Sequence, residues 1–345
     1  MKKRIVIASS LSLVMAVMVV SSASAQLPAG LDLRVWLKAD DLVNDGLNFG
    51  DDVNLWTDAS THGTTFEPDL TIESAPKLEQ VSINGANVPA VKFTASGPPT
   101  DTNNTRLRQT SNLTATGVGD PTNIVEGDDM TLFVVFNPTH VQTPLINFQS
   151  IAGKRSGAGS PWTFGLQDGA GGANAGQLNY VHFGPGLPHR SGNDVSKPNH
   201  NILLENTWHI SGMTIEENNP NNILDFFTDN IEDSDPLTFL GAVDAANPPF
   251  GNPVDPVTGA NGPIGNGPIP EAMVIAGNNQ PGPGLSERFN GHIAELIIFA
   301  DALSPAEFGQ VQGYLNAKYN TIPEPTAIAL AMVAAGTLAL CRRRS

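Results

Sequence analysis

The chain has 345 residues, a formal net charge of −16 and one cysteine, Cys341. Such acidity opposes nucleic acid and anionic lipid surfaces by Coulomb repulsion, and a lone cysteine rules out an intrachain disulfide framework. With 34 glycines and 27 prolines the chain is rich in loops yet below the level of disorder, so its stability must come from an apolar core.

Lys2, Lys3 and Arg4 precede an apolar run, Ile5 to Val20, and an Ala23-Ser24-Ala25 site before Gln26. This order predicts a cleavable signal peptide over 1–25, read by the Sec export machinery. An uncleaved anchor is the alternative, and the small residues at the cleavage site argue against it. Leu33, Val35 and Leu37 then alternate with Arg34, Trp36 and Lys38, the period of a strand with one buried face. An acidic loop is expected from Asp40 to Asn54, followed by Leu55-Trp56-Thr57-Asp58-Ala59-Ser60.

Short β-type runs continue at Ala90 to Thr94 and Arg106 to Gln109. Met130 to Asn137 is apolar almost throughout and suits a central strand. Further strands are predicted over Ile146 to Gly153, Trp162 to Gln167, Gln177 to Phe183, Trp208 to Ile215 and Ile223 to Thr228, with a turn at Asp229-Asn230. Gly241 to Gly284 reads as long loops with one strand, Ala272 to Ala276. A strong strand spans Phe289 to Leu303. Ser304, Pro305 and Glu307 then open a helix with a capping box, and Val311, Leu315 and Tyr319 give it one apolar stripe.

The tail reads Pro323-Glu324-Pro325, an uncharged apolar run from Thr326 to Cys341, and Arg342, Arg343 and Arg344. As a helix the run would measure roughly 24 Å at about 1.5 Å per residue, slightly short for a bilayer core of about 30 Å, a deficit that arginine stems cover by snorkelling. The arginines would remain cytoplasmic and the preceding chain would lie across the membrane. This segment resembles the PEP-CTERM sorting signal of Gram-negative bacteria. The resemblance implies an exosortase as partner, a membrane-anchored stage through the C-terminal helix, and a final place at the cell surface, the outer envelope or the extracellular matrix. Removing the terminal cations, Lys2, Lys3, Arg4 and Arg342 to Arg344, together with Glu324, takes the net charge from −16 to about −21 for the remaining body.

Many short strands, long turns and one late helix point to an all-β sandwich. Three stretches, LRVWLKADDL, LWTDAS and FNGHIAELIIFADALSPAEFGQVQGYLNAKY, look like the laminin G-like members of the concanavalin A-like lectin/glucanase jelly rolls. The implied organisation is a signal peptide at 1–25, a jelly-roll β-sandwich with long loops and one C-terminal helix at 26–320, and a sorting signal with a transmembrane helix at 321–345.

Function must be argued from a site. Glucanases of this fold carry a Glu-x-Asp-x-(x)-Glu strand, and no such triplet occurs. Glu216 and Glu217 are adjacent, and Asp225 and Asp229 end near the expected turn. Nucleophile elbow, P-loop and H-E-x-x-H motifs are absent too. His182 and His189 are the nearest pair of histidines, and His292 and Glu295 stand at odd spacing, which predicts opposite strand faces. Asp40, Asp45, Asp51 and Asp52 could supply oxygen ligands to calcium, although a solubilising acidic loop explains the same residues. Trp36 and Trp162 are the candidate glycan contacts, whereas Trp56 and Trp208 suit the core. The resulting expectation is a non-catalytic surface or biofilm-matrix protein that binds an extracellular polysaccharide. A polysaccharide hydrolase or lyase on the same fold, and a purely structural surface module, are the alternatives.

Overall fold

The computed structural model describes residues 27–71, 73–95, 103–113, 120–122, 129–139, 148–154, 162–167, 177–183, 188–193, 205–216, 223–230, 238–244, 272–277 and 287–319. The cleavage residues Ala23, Ala25 and Gln26, the Pro323-Glu324-Pro325 motif and Arg342 to Arg344 lie outside them. Among the described residues, no helix is long and apolar enough to cross a membrane.

In chain order the elements are β1 (Leu33–Lys38), α1 (Ala39–Asn44), β2 (Trp56–Thr57), β3 (Thr65–Glu67), β4 (Lys77–Ile83), β5 (Ala86–Phe93), β6 (Leu107–Gln109), β7 (Met130–Pro138) and β8 (Phe148–Gly153). They continue with β9 (Trp162–Gln167), β10 (Gln177–Phe183), β11 (Pro188–Asn193), β12 (His209–Glu216), β13 (Ile223–Asn230), β14 (Thr238–Asp244), β15 (Val274–Ile275), β16 (Gly291–Phe299) and α2 (Pro305–Tyr319). Every strand pairing between them is antiparallel. One sheet runs β13-β12-β7-β16-β5-β4, with β1 also on β16, and the other runs β2-β3-β6-β15-β8-β9-β10-β11. The first half of β14 pairs with β13 and its second half with β11, so this strand passes from one sheet to the other.

Two cores explain the apolar patterns. Leu132, Val134 and Phe136 of β7 meet Trp162, Phe164 and Leu166 of the facing sheet in the inter-sheet core. Phe133 and Val135 point the opposite way, into a second core closed by Phe308, Val311 and Leu315 of α2. Burial on both faces makes Met130 to Asn137 continuous rather than alternating. The layers are therefore sheet, sheet, helix. At the start of α2 the Ser304 hydroxyl and backbone N–H both donate to Glu307 Oε2, at 2.6 and 2.9 Å, which is the expected capping box.

The structure corrects several sequence expectations. The acidic loop begins as α1, because Asp40 and Asp41 suit the positive end of a helix and Ala39 and Leu42 bury its inner side. Among the described residues there are thus two helices, α1 and α2. Asp229 and Asn230 belong to β13, where Ile210 and His209 of β12 give them ladder partners and override their turn preference. Gly241 to Asp244 complete β14 rather than starting a loop. His292 and Glu295 face the same side of β16, each touching the outer core, since a bulge between Ile293 and Glu295 resets the alternation. This bulge sits where one edge of β16 changes partner from β5 to β1.

Candidate functional site

The outer face of the β7-containing sheet is closed. Glu295, wholly buried on β16, accepts hydrogen bonds from Trp36 Nε1 at 2.6 Å, Tyr314 and Tyr319 hydroxyls at 2.7 Å each and Lys318 Nζ at 2.8 Å. Lys318 also pairs with Asp40 of α1. Burial, then the Glu295 charge, pushes both tyrosine hydroxyls far above the ordinary tyrosine range. Burial alone would push the Lys318 ammonium down, but Glu295 and Asp40 together outweigh it, and its pKa lies above that of a free lysine. This carboxylate fastens α2, α1 and β1 to β16.

The free edge of β1 is closed by Leu55-Trp56-Thr57-Asp58-Ala59-Ser60. Asp58 Oδ1 accepts the Trp36 N–H at 2.6 Å and the Ser60 N–H at 2.8 Å, Ala59 N–H donates to the Trp36 carbonyl at 2.8 Å, and Trp56 Nε1 donates to the Lys38 carbonyl at 3.1 Å. Desolvation raises the Asp58 pKa, while bonds from Ser60, Trp36 and Thr64 work against it.

These contacts place the predicted site residues. Trp36 is half-buried, its indole N–H spent on Glu295, one face under Lys38 Nζ at 4.2 Å and Tyr314 against it edge-on. Trp162 is wholly buried in the inter-sheet core. Trp162 is therefore closed to a sugar, whereas Trp36 keeps part of its side chain at the surface. The four aspartates are not brought together: Asp40 pairs with Lys318, Asp52 with Lys77 at 2.6 Å, Asp51 caps Asn48 at 2.9 Å, and Asp45 ends α1. Among the described residues no three His, Cys, Asp or Glu side chains form a group that could hold a metal ion, these four aspartates included. His182 and His189 prove to be register partners across β10 and β11, a proximity that their spacing in sequence did not disclose.

The second sheet carries exposed polar residues at its β2-β3-β6 edge. A cross-strand row runs Glu67, Arg108, Val274, Gly153 and Thr163 over β3, β6, β15, β8 and β9. Val274, Gly153 and Thr163 are buried, whereas Arg108 and Glu67 are exposed. Beside them, Thr65 and Thr110 place hydroxyls 3.1 Å apart, and the Thr110 hydroxyl donates to Glu67 Oε1 at 3.0 Å. Thr57, the register partner of the half-buried Thr65, adds a third threonine and, like Thr110, is exposed. The edge β2-β3-β6 thus presents hydroxyls, one carboxylate and one guanidinium. Sequence reasoning missed this patch, although Thr65 and Glu67 alternating around Phe66, and Arg108 and Thr110 alternating with Leu107 and Gln109, carry its period-two signal.

Buried polar groups hold that edge. Glu73 receives Arg106 at 2.9 Å and Arg288 at 2.5 Å. Lys154 and Asp120, both without side-chain exposure, pair at 2.7 Å, and Gln109 ties to Asp120 at 2.9 Å and to the Met273 N–H at 3.0 Å. Burial, then the neighbouring Arg288, lowers the Arg106 pKa against the pull of Glu73.

No protein-family model matches the chain, and no curated protein does. Among solved structures, the binding domain of botulinum neurotoxin DC in complex with SialylT is similar at 11% identity and a TM-score of 0.45, covering 84% of this chain and 52% of that one. The Ruminococcus gnavus IT-sialidase CBM40 is similar at 12% identity and a TM-score of 0.36, over 57% of this chain and 89% of that one. A GH54 α-L-arabinofuranosidase is similar at 11% identity and a TM-score of 0.44, over 84% and 60%. The chain thus spans about half the length of the toxin chain it matches. At these scores the fold statement rests on strand register: the protein is an antiparallel β-sandwich with a helix packed on one outer face.

Proposed function

We propose that the protein is an exported β-sandwich that binds an extracellular polysaccharide without catalysis, and that an exosortase sorts it through its tail to the cell surface or matrix. The observation that carries the binding reading is the polar β2-β3-β6 edge. Its threonine hydroxyls, Glu67 and Arg108 are donors and acceptors suited to sugar hydroxyls, fixed by buried pairs behind them. Support for the non-catalytic reading comes from the carboxyls. A glycosidase needs a partner acid whose pKa is raised. The nearby Asp69 is held below the usual carboxylate range, first by the Thr71 hydroxyl, and Asp58, which burial does raise, is sealed beneath Trp36 and Ser60. A purely structural module is the second reading, favoured by the closure of the other outer face by α2.

The test is a glycan array probed with the full-length protein, with calcium and with chelator, beside a hydrolysis assay on the same polysaccharides. Retained binding without product is expected. Release of product without retained binding would sink the proposal, and no binding at all would leave the structural reading in its place.

A further inference from the structure

Cations are scarce in this acidic body, and the structure shows where they are spent. Every lysine and arginine whose side chain is described lies in an ion pair, from the exposed Arg34–Asp32 fork to the buried Lys154–Asp120 pair, except Arg108. Its register partner Glu67 is occupied by the Thr110 hydroxyl, and the Asp69 carboxylate by the Thr71 hydroxyl and N–H. Among the described residues Arg108 makes no hydrogen bond or ion pair. A second guanidinium, Arg106, lies within electrostatic reach of Arg108, and the two contribute, behind the Thr71 hydrogen bonds, to holding the Asp69 pKa low.

The exposed side chain also starts from a fixed backbone. Leu107 and Gln109 on either side are buried, the first in the inter-sheet core and the second in the Asp120 and Met273 hydrogen bonds. A guanidinium presents planar, forked donors that match a carboxylate with two parallel bonds. We propose that Arg108 recognises a carboxylate on the glycan, so that the β2-β3-β6 edge takes an acidic, uronate-bearing polysaccharide rather than a neutral one. The proposal rests on the glycan-binding reading above. Thr65 and Thr110, on the adjoining edge of the same face, would take the hydroxyls of the sugar ring.

The experiment compares binding of a short oligogalacturonate with that of its methyl ester, which keeps the sugar backbone and removes the charge. Full-length parent, Arg108→Gln and Arg108→Lys are titrated at one ionic strength, with circular dichroism as the folding check. The parent should prefer the free acid by about tenfold, the value of one good charge-assisted pair. Arg108→Gln should lose that preference while still binding the ester, and Arg108→Lys, which keeps the charge but not the fork, should fall between. Equal binding of acid and ester by the parent, or an undiminished preference in Arg108→Gln, overturns the carboxylate assignment and leaves glycan binding intact. Equally tight binding of a sulfated neutral oligosaccharide overturns it as well. Binding of none of these probes overturns the carboxylate assignment, and the glycan array decides the wider reading.

Discussion

Replacing Glu295 by glutamine tests whether one buried carboxylate fastens α2 to the sandwich. The wild-type group accepts from four donors between 2.6 and 2.8 Å, one of them an ammonium. Glutamine keeps the shape but has one acceptor oxygen, and its amide sets N–H groups against Lys318 and a tyrosine hydroxyl. Breaking a buried pair while leaving its partner in place costs about 3 to 5 kcal/mol. Because Lys318 keeps Asp40 and is 21% exposed, the lower half of that range applies, about 3 kcal/mol. Denaturant unfolding of both proteins, followed by tryptophan fluorescence, reads this as a lower midpoint at unchanged slope. A second variant, Glu295→Gln with Lys318→Met, should recover part of the loss, since it removes the stranded charge. A loss below about 1 kcal/mol for the single variant, or an additive loss in the double, would refute the reasoning.

Alkali should act on the same cluster. Tyr314, Tyr319 and Lys318 all have folded-state pKa values raised above their unfolded ones, so their contribution is complete below the unfolded values and declines as pH rises past the ordinary tyrosine value of 10.0. Unfolding free energy measured on either side of that pH should therefore fall on the alkaline side, and a rise would contradict the assignment. Gly212→Ala should cost about 1 to 3 kcal/mol or more, because a Cβ there overlaps the Leu132 carbonyl and comes within 2.6 Å of the Phe227 ring; a thermal midpoint equal to that of the parent would disprove the packing argument. For the tail, Glu324→Gln or deletion of Arg342 to Arg344 should leave the body folded but change its final location or processed size, read by fractionation and mass. If both variants match the parent in place and size, the sorting reading is wrong.

Strands that fill a core were legible in the sequence. Met130 to Asn137 and Gly291 to Phe299 are apolar because both of their faces are covered, and the Ser304–Glu307 capping box reads directly from its spacing. Strands defined by pairing were not. The hairpin β4-β5 carries Asn84-Gly85, with φ of 50° and 78°, the two-residue turn that an Asn-Gly pair favours, yet the charges on β4 masked its alternation. The site was the least legible part. Tryptophans read as sugar platforms, but a ring that large is worth more inside the protein: Trp162 fills the inter-sheet core, and Trp36 donates to Glu295. The exposed edge is made of threonine, glutamate and arginine, whose significance appears only when β6 lies beside β3, some forty residues away in sequence.

The pairing of β1 with β16 carries a kinetic consequence. The contact between Asp32 and Asp301 spans 269 positions, so β1 leaves the ribosome long before its sheet partner β16 exists. Long-range pairing of this kind is slow, and an unpaired strand is a template for aggregation while it waits. The Asp58 bond to Trp36 spans only 22 positions. It can form early, so Leu55 to Ser60 would act as a temporary partner that guards the nascent strand until β16 arrives.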